Sequence, residues 1–222
     1  MKNIKTKWLA AAGAIGKRPL LLAGILCVLI PVAVMAASTT WKLYSFNASG
    51  RALRAQTVSY DTAANIVSFT FPQTADAAYL TSTKVGAFGD LRGKTLRGTA
   101  SLTNVVPGTT FANYPGCTGI TTNPMVGLYF ATKATGGFSP TTYWWSSKRV
   151  PLSVILANPT ALDTIVAQGN WTDYNGQADP MAFDAAAANV IDWGVSFGGD
   201  CFYANGVGTP TGSADFSLQV YP

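Results

Sequence analysis

Hydrophobic and polar positions alternate along most of this chain, and the alternation predicts strands. Trp41–Phe46 alternates bulky and polar residues, and Asn65–Phe71 (NIVSFTF) does so again before Pro72 ends the run. Lys94–Thr103 sets Leu96, Gly98, Ala100 and Leu102 against polar neighbours, and Met125–Thr132 is apolar enough throughout for a central strand. Thr142–Ser147 (TYWWSS), Val150–Ala157, Thr164–Ala167, Val190–Phe197 and Ala214–Tyr221 continue the series. Clusters of Pro, Gly, Asn and Thr, such as Val106–Thr110 and Thr135–Pro140, supply turns at the spacing of a sandwich or barrel. One segment breaks the pattern. In Asp179–Asn189 (DPMAFDAAAAN), an Asp followed by Pro180 reads as an N-cap and first helical residue, and the run of four alanines, Ala185–Ala188, favours helix. The expectation is an all-β, two-sheet antiparallel β-sandwich of jelly-roll type with one short helix at 179–189.

The first residues follow a different rule. Lys2, Lys5, Lys7, Lys17 and Arg18 precede an apolar run from Leu20 to Val34 and then Ala36, Ala37 and Ser38. That is the order of a secretory signal peptide. The apolar run holds 15 residues and contains Pro31, whereas a membrane-spanning helix needs roughly 20. Residues 1–36 are therefore read as a leader cleaved after Ala36, against the alternative of an uncleaved N-terminal anchor. Cys27 follows the bulky Leu26, which does not suit a lipoprotein site. Residues 37–222 form a single domain, secreted to an extracellular or periplasmic compartment and expected to be free of the membrane once the leader is gone.

Removing the leader changes the charge. Of 15 Lys and Arg, ten remain, against ten acids that are all Asp, so the mature region is neutral. Binding nucleic acid through phosphate neutralisation gains no support from such a balance. Cys117 and Cys201 are left as a pair, which in an oxidising compartment reads as one disulfide; two free buried thiols are the alternative.

The chain has no His and no Glu, so a Ser–His–Asp or Cys–His site and an ordinary His-ligated zinc site cannot be built. Acid–base chemistry would fall to Asp, Lys, Tyr or Cys.

The stretches VGLYFA (Val126–Ala131), TYWWSS (Thr142–Ser147) and WTDYNGQ (Trp171–Gln177), with the Ala-rich helix and VIDWGVSFGGDCFYANGVG after it, resemble the second half of galactose-binding-like jelly rolls. Many carbohydrate-binding modules of secreted bacterial proteins share that fold. The resemblance implies a jelly-roll sandwich, often with a structural calcium, and a non-catalytic binding role.

Aromatic residues are the first candidates for such a role, because their faces stack on pyranose rings. Trp144 and Trp145 are neighbours on one predicted strand and must point to opposite faces. Tyr143 and Trp145 then share a face beside Lys148 and Arg149, either as an exposed sugar platform or as packing under a loop. Trp171, Tyr174 and Asn175 are candidates for the rim of a cleft, whereas Trp193 shares its face with Ile191 and Val195 and reads as core. Asp173, Asn175 and Asp179 (D-x-N-G-x-x-D) place oxygen ligands as calcium requires, without completing an EF-hand loop. The same residue types also make turns and helix caps.

These observations converge on a binding module for a glycan or cell-surface polymer. Two alternatives stand beside it: a polysaccharide lyase or a hydrolase with paired Asp about 6.5–9.5 Å apart, and a structural or adhesive surface protein.

Overall fold

The computed structural model describes residues 40–46, 52–83, 87–114, 123–133, 142–199 and 202–221. The leader, its cleavage site, Cys117 and Cys201 lie outside the described residues. Strands and helices are numbered in chain order.

Two antiparallel sheets pack face to face. The larger is nine-stranded and runs β13 (Trp171–Thr172), β10 (Tyr143–Pro151), β9 (Met125–Ala131), β14 (Asp192–Gly198), β5 (Ala77–Thr83), β1 (Thr40–Phe46), β2 (Leu53–Thr57). Beside β5 it carries β15 (Val207–Thr211) and, through β15, β8 (Thr110–Asn113). The smaller sheet is five-stranded, in the order β11 (Thr160–Ala161), β7 (Gly98–Thr103), β16 (Asp215–Val220), β4 (Ile66–Thr70), β3 (Ser59–Asp61). A short ladder joins β6 (Thr95–Leu96) to β12 (Thr164–Ile165). The all-β sandwich expected from the alternation is the fold of the chain.

Strand alternation builds the core between the sheets. On β14, Trp193, Val195 and Phe197 face inward beside Leu80 of β5 and Leu128 and Phe130 of β9. The smaller sheet answers with Val67, Phe69, Ala100, Phe216 and Leu218. Phe69, Phe71, Phe197 and Phe216 meet mostly edge to face at centroid distances of 4.9–6.1 Å, a geometry that adds to their burial.

The helix predicted at 179–189 is α2 (Pro180–Ala187). Asp179 caps it, its Oδ1 accepting from the N–H groups of Met181 and Ala182, with Pro180 in the first turn. Its buried face carries Phe183, Ala186 and Ala187, and Phe183 packs edge-on against Trp144 at 5.4 Å.

Several segments differ from the sequence reading; Lys94–Thr103, for one, divides at Arg97 into β6 and β7, which lie in different sheets. Thr142–Ser147 and the start of Val150–Ala157 are one strand, β10, and the remainder is a helix, α1 (Leu152–Ala157). Pro151 at its N-cap preorganises the turn, and the buried residues Leu152 and Ile155 recur at i and i+3, leaving Val154 and Leu156 exposed. Strand β5, an interior strand of the larger sheet, was not legible as a strand in Ala77–Thr83 (AAYLTST). It is buried along nearly its whole length.

Candidate functional site

The outer face of the larger sheet is not a solvent face. Tyr44, Tyr79, Tyr129, Tyr143 and Trp145 form a second apolar layer there, with Phe202 and Tyr203 partly buried against it. Alternation does send Trp144 and Trp145 to opposite faces, but both are buried. Trp144 stacks on Phe130 in the core between the sheets. Trp145, 1% exposed, lies between Tyr143 (5.7 Å, 17°) and Tyr203 (5.2 Å, 20°), with Phe202 edge-on at 5.3 Å. Of the two readings of Tyr143 and Trp145, this geometry is the packing one; an open platform is not what these rings form.

Trp171 is fully buried, tilted against Phe130 at 5.0 Å, and its Nε1–H donates to the Ile165 carbonyl at 2.8 Å. It is a core residue rather than a rim aromatic. Trp193 is core as expected, edge-on to Trp41 at 5.9 Å.

Tyr174 and Asn175 are exposed. Tyr174 is 45% exposed and meets Phe202 at 5.4 Å, nearly edge to face. The turn that presents it is closed by Asp173, whose Oδ1 accepts from the Asn175 and Gln177 N–H groups, both at 2.8 Å. The Asp173 N–H in turn donates to the Gln177 carbonyl at 2.7 Å. Asp173 therefore shapes an Asx-type turn and Asp179 caps α2. Among the described residues, no three carboxylate or thiol side chains converge as a metal site.

Phe202 and Tyr203 complete this surface, and neither is among the aromatic candidates read from the sequence. Their signal was an aromatic pair inside GGDCFYANG. The segment is held by Arg149, which donates to the carbonyls of Gly198 (3.5 Å), Gly199 (3.3 Å) and Tyr203 (3.1 Å). The Arg149 guanidinium carbon also lies 5.2 Å from the Tyr203 ring centroid. Gly127, Arg149's partner on β9, makes room: a Cβ there would sit 3.1 Å from the Arg149 Cγ. The Tyr203 hydroxyl accepts from Thr172 Oγ1 at 3.2 Å, which ties it to the Tyr174 turn.

Polar groups are trapped beneath these rings. Tyr129 and Thr81 share a 2.5 Å hydrogen bond between hydroxyls, while Tyr79 Oη, Ser196 Oγ and Trp145 Nε1 are buried with no partner among the described residues. Burial, and after it the neighbouring Tyr143 and Tyr129, hold the Tyr79 hydroxyl well above the usual tyrosine range. Burial and then the Asp192 carboxylate raise Tyr44 likewise.

The candidate site is thus the half-exposed aromatic surface of Tyr174, Phe202 and Tyr203, edged by the side chains of Asn175 and Gln177 and backed by the Trp145 layer. Comparison with protein-family models, curated proteins and solved structures found no match.

Proposed function

We propose that this protein is a secreted, non-catalytic binding module for a glycan or cell-surface polymer, with the Tyr174–Phe202–Tyr203 surface as its contact. The supporting observation is the exposed Tyr174 ring, carried on a hydrogen-bonded turn and set edge-on against the partly buried Phe202. A preorganised aromatic face loses little freedom on binding, and the neighbouring amides of Asn175 and Gln177 suit sugar hydroxyls.

Two grooves among the described residues carry one carboxylate each. One, lined by Ser147, Lys148, Asp163, Thr164, Ile165 and Asn170, holds a single carboxylate. Asp163 there accepts from Arg97 Nε at 3.3 Å and the Gly98 N–H at 3.1 Å. A second, along β2–β4, also has one carboxylate, Asp215.

The test is a glycan array and polysaccharide pull-down with residues 37–222, comparing wild type with Tyr174→Ala. Binding by wild type and its loss in Tyr174→Ala supports the reading. A wild type that retains no glycan refutes it.

A further inference from the structure

We infer that the groove at the open edge of the sandwich is a second binding site, for a neutral sugar chain; this rests on the glycan-binding reading above. It arises where one strand leaves a sheet. Strand β3 pairs with β4 through Ser59↔Ser68, Tyr60↔Val67 and Asp61↔Ile66. The next hydrogen-bonded pair in that register would be Thr57 with Thr70, but Thr57 pairs with Lys42 of β1 in the other sheet. The chain changes sheets at Val58, and a wedge opens between Thr57 and Thr70.

The wedge is a groove of about 370 Å³, within the size range of small-ligand sites. Leu43, Val58 and Phe69 give it an apolar floor, and Gln56, Ser59, Ser68, Thr70 and Asp215 bring polar groups to its walls. The backbone adds more. The Phe71 N–H donates to Ala214 of the smaller sheet, so hydrogen-bonding alternation turns the N–H and C=O of Thr70 the other way, into the wedge.

These donors and acceptors select the ligand class. An amide, hydroxyls and a peptide edge beside an apolar floor match a ligand with alternating hydroxyl and C–H surfaces. Asp215 is the one acidic or basic residue in the lining. Its Oδ1 accepts from Thr70 Oγ1 at 2.5 Å and its Oδ2 from Asn104 Nδ2 at 2.7 Å. Its negative charge repels uronate and sulfate groups, so the fitting chain is neutral. A strand-adding peptide fits less well, because β4 offers a single open residue, Thr70, where strand addition needs a run of them.

The experiment measures affinity for laminarin, a neutral glucan, and for polygalacturonate, with thermal melts to confirm folding. It compares wild type, Tyr174→Ala, Gln56→Ala on the exposed edge strand, and Ser68→Tyr, which fills the groove. Laminarin affinity should fall about tenfold in Gln56→Ala and further in Ser68→Tyr, as loss of one or two polar contacts requires, and polygalacturonate should bind more weakly than laminarin. Folded groove variants that bind laminarin like wild type, with loss confined to Tyr174→Ala, would overturn the groove and leave the binding reading standing. Polygalacturonate binding as tight as laminarin, lost in the groove variants, would overturn the neutral-ligand assignment. A wild type that binds neither polymer nor any glycan on the array would remove both.

Discussion

The Trp145 indole lies nearly parallel to the Tyr203 ring, 5.2 Å between centroids and 20° between planes. Trp144, one residue earlier, is buried against Phe130 and Phe183 on the opposite face of the sheet. The sandwich therefore has two apolar layers on its larger sheet, one between the sheets and one outside them.

That arrangement makes both tryptophans structural. Trp144→Ala and Trp145→Ala should each destabilise the fold by about 3–5 kcal/mol, as large buried aromatics do when truncated. Urea or thermal unfolding of the two single variants measures this. A Trp145→Ala loss within about 0.5 kcal/mol, the range of ordinary surface changes, would mean that the second layer does not pack as described.

Much of this fold was legible because strands β1, β4, β14 and β16 each alternate strongly enough to show in sequence, while β9 shows as a continuous apolar run. Strand β5 was not, since in AAYLTST the bulky residues Tyr79 and Leu80 are adjacent and serve different faces, with alanines and hydroxyls around them. The helix α1 was misread because its apolar run is short, and only the burial of Leu152 and Ile155 separates three-residue from two-residue periodicity. The candidate site was legible only in part. Local pattern put Trp144 and Trp145 on opposite faces correctly, but the roof over Trp145 comes from Phe202 and Tyr203, a contact remote in sequence. Tyr174 and Asn175 remain accessible because they lie in a turn that Asp173 closes on itself.

The buried tyrosines predict an alkaline limit to stability. Tyr79 has a folded pKa raised above its ordinary 10.0, so the folded state holds its proton where the unfolded chain has released it. Stability is then full below about pH 10 and falls as pH rises towards the folded pKa. Tyr79→Phe should flatten this decline. It should cost little at pH 7, because the hydroxyl it removes has no partner among the described residues. Unfolding curves between pH 7 and 11 provide the measurement; an equally steep alkaline decline in Tyr79→Phe would assign it to other groups.

At the acid end, Arg92 holds Asp90 down to about 2 through hydrogen bonds from its side chain and backbone N–H. A depressed carboxylate stabilises above its unfolded pKa, and that contribution disappears as pH falls from about 4 towards 2. Both side chains are exposed, so Asp90→Asn should alter the acid unfolding profile only slightly. A large shift of the acid midpoint in that variant would contradict the surface placement.

Asp179 separates a helix cap from a calcium ligand. Asn caps helices about as well as Asp, whereas Ala does not. Asp179→Asn should therefore keep nearly wild-type stability, and Asp179→Ala should lose about 1 kcal/mol. Both should behave alike with added calcium or with EDTA. A calcium-induced rise in Tm that disappears in both variants would instead show metal ligation by this carboxylate.

Arg149 is the remaining test of how the aromatic surface is held. Its guanidinium reaches three carbonyls of the 198–203 segment and lies against the Tyr203 ring, a planar multidentate task that a lysine ammonium cannot reproduce. Arg149→Lys should free the Phe202–Tyr203 segment, raising amide hydrogen exchange there while β9 and β14 stay protected. Gly127→Ala should act in the same direction but more weakly, since its methyl would press on the Arg149 side chain without removing the hydrogen bonds. If the surface binds glycan, both variants should weaken binding in the same order as they raise exchange, with Tyr174 itself unchanged. Unaltered exchange across residues 202–205 in Arg149→Lys would show that other contacts hold the surface and that the arginine is dispensable to it.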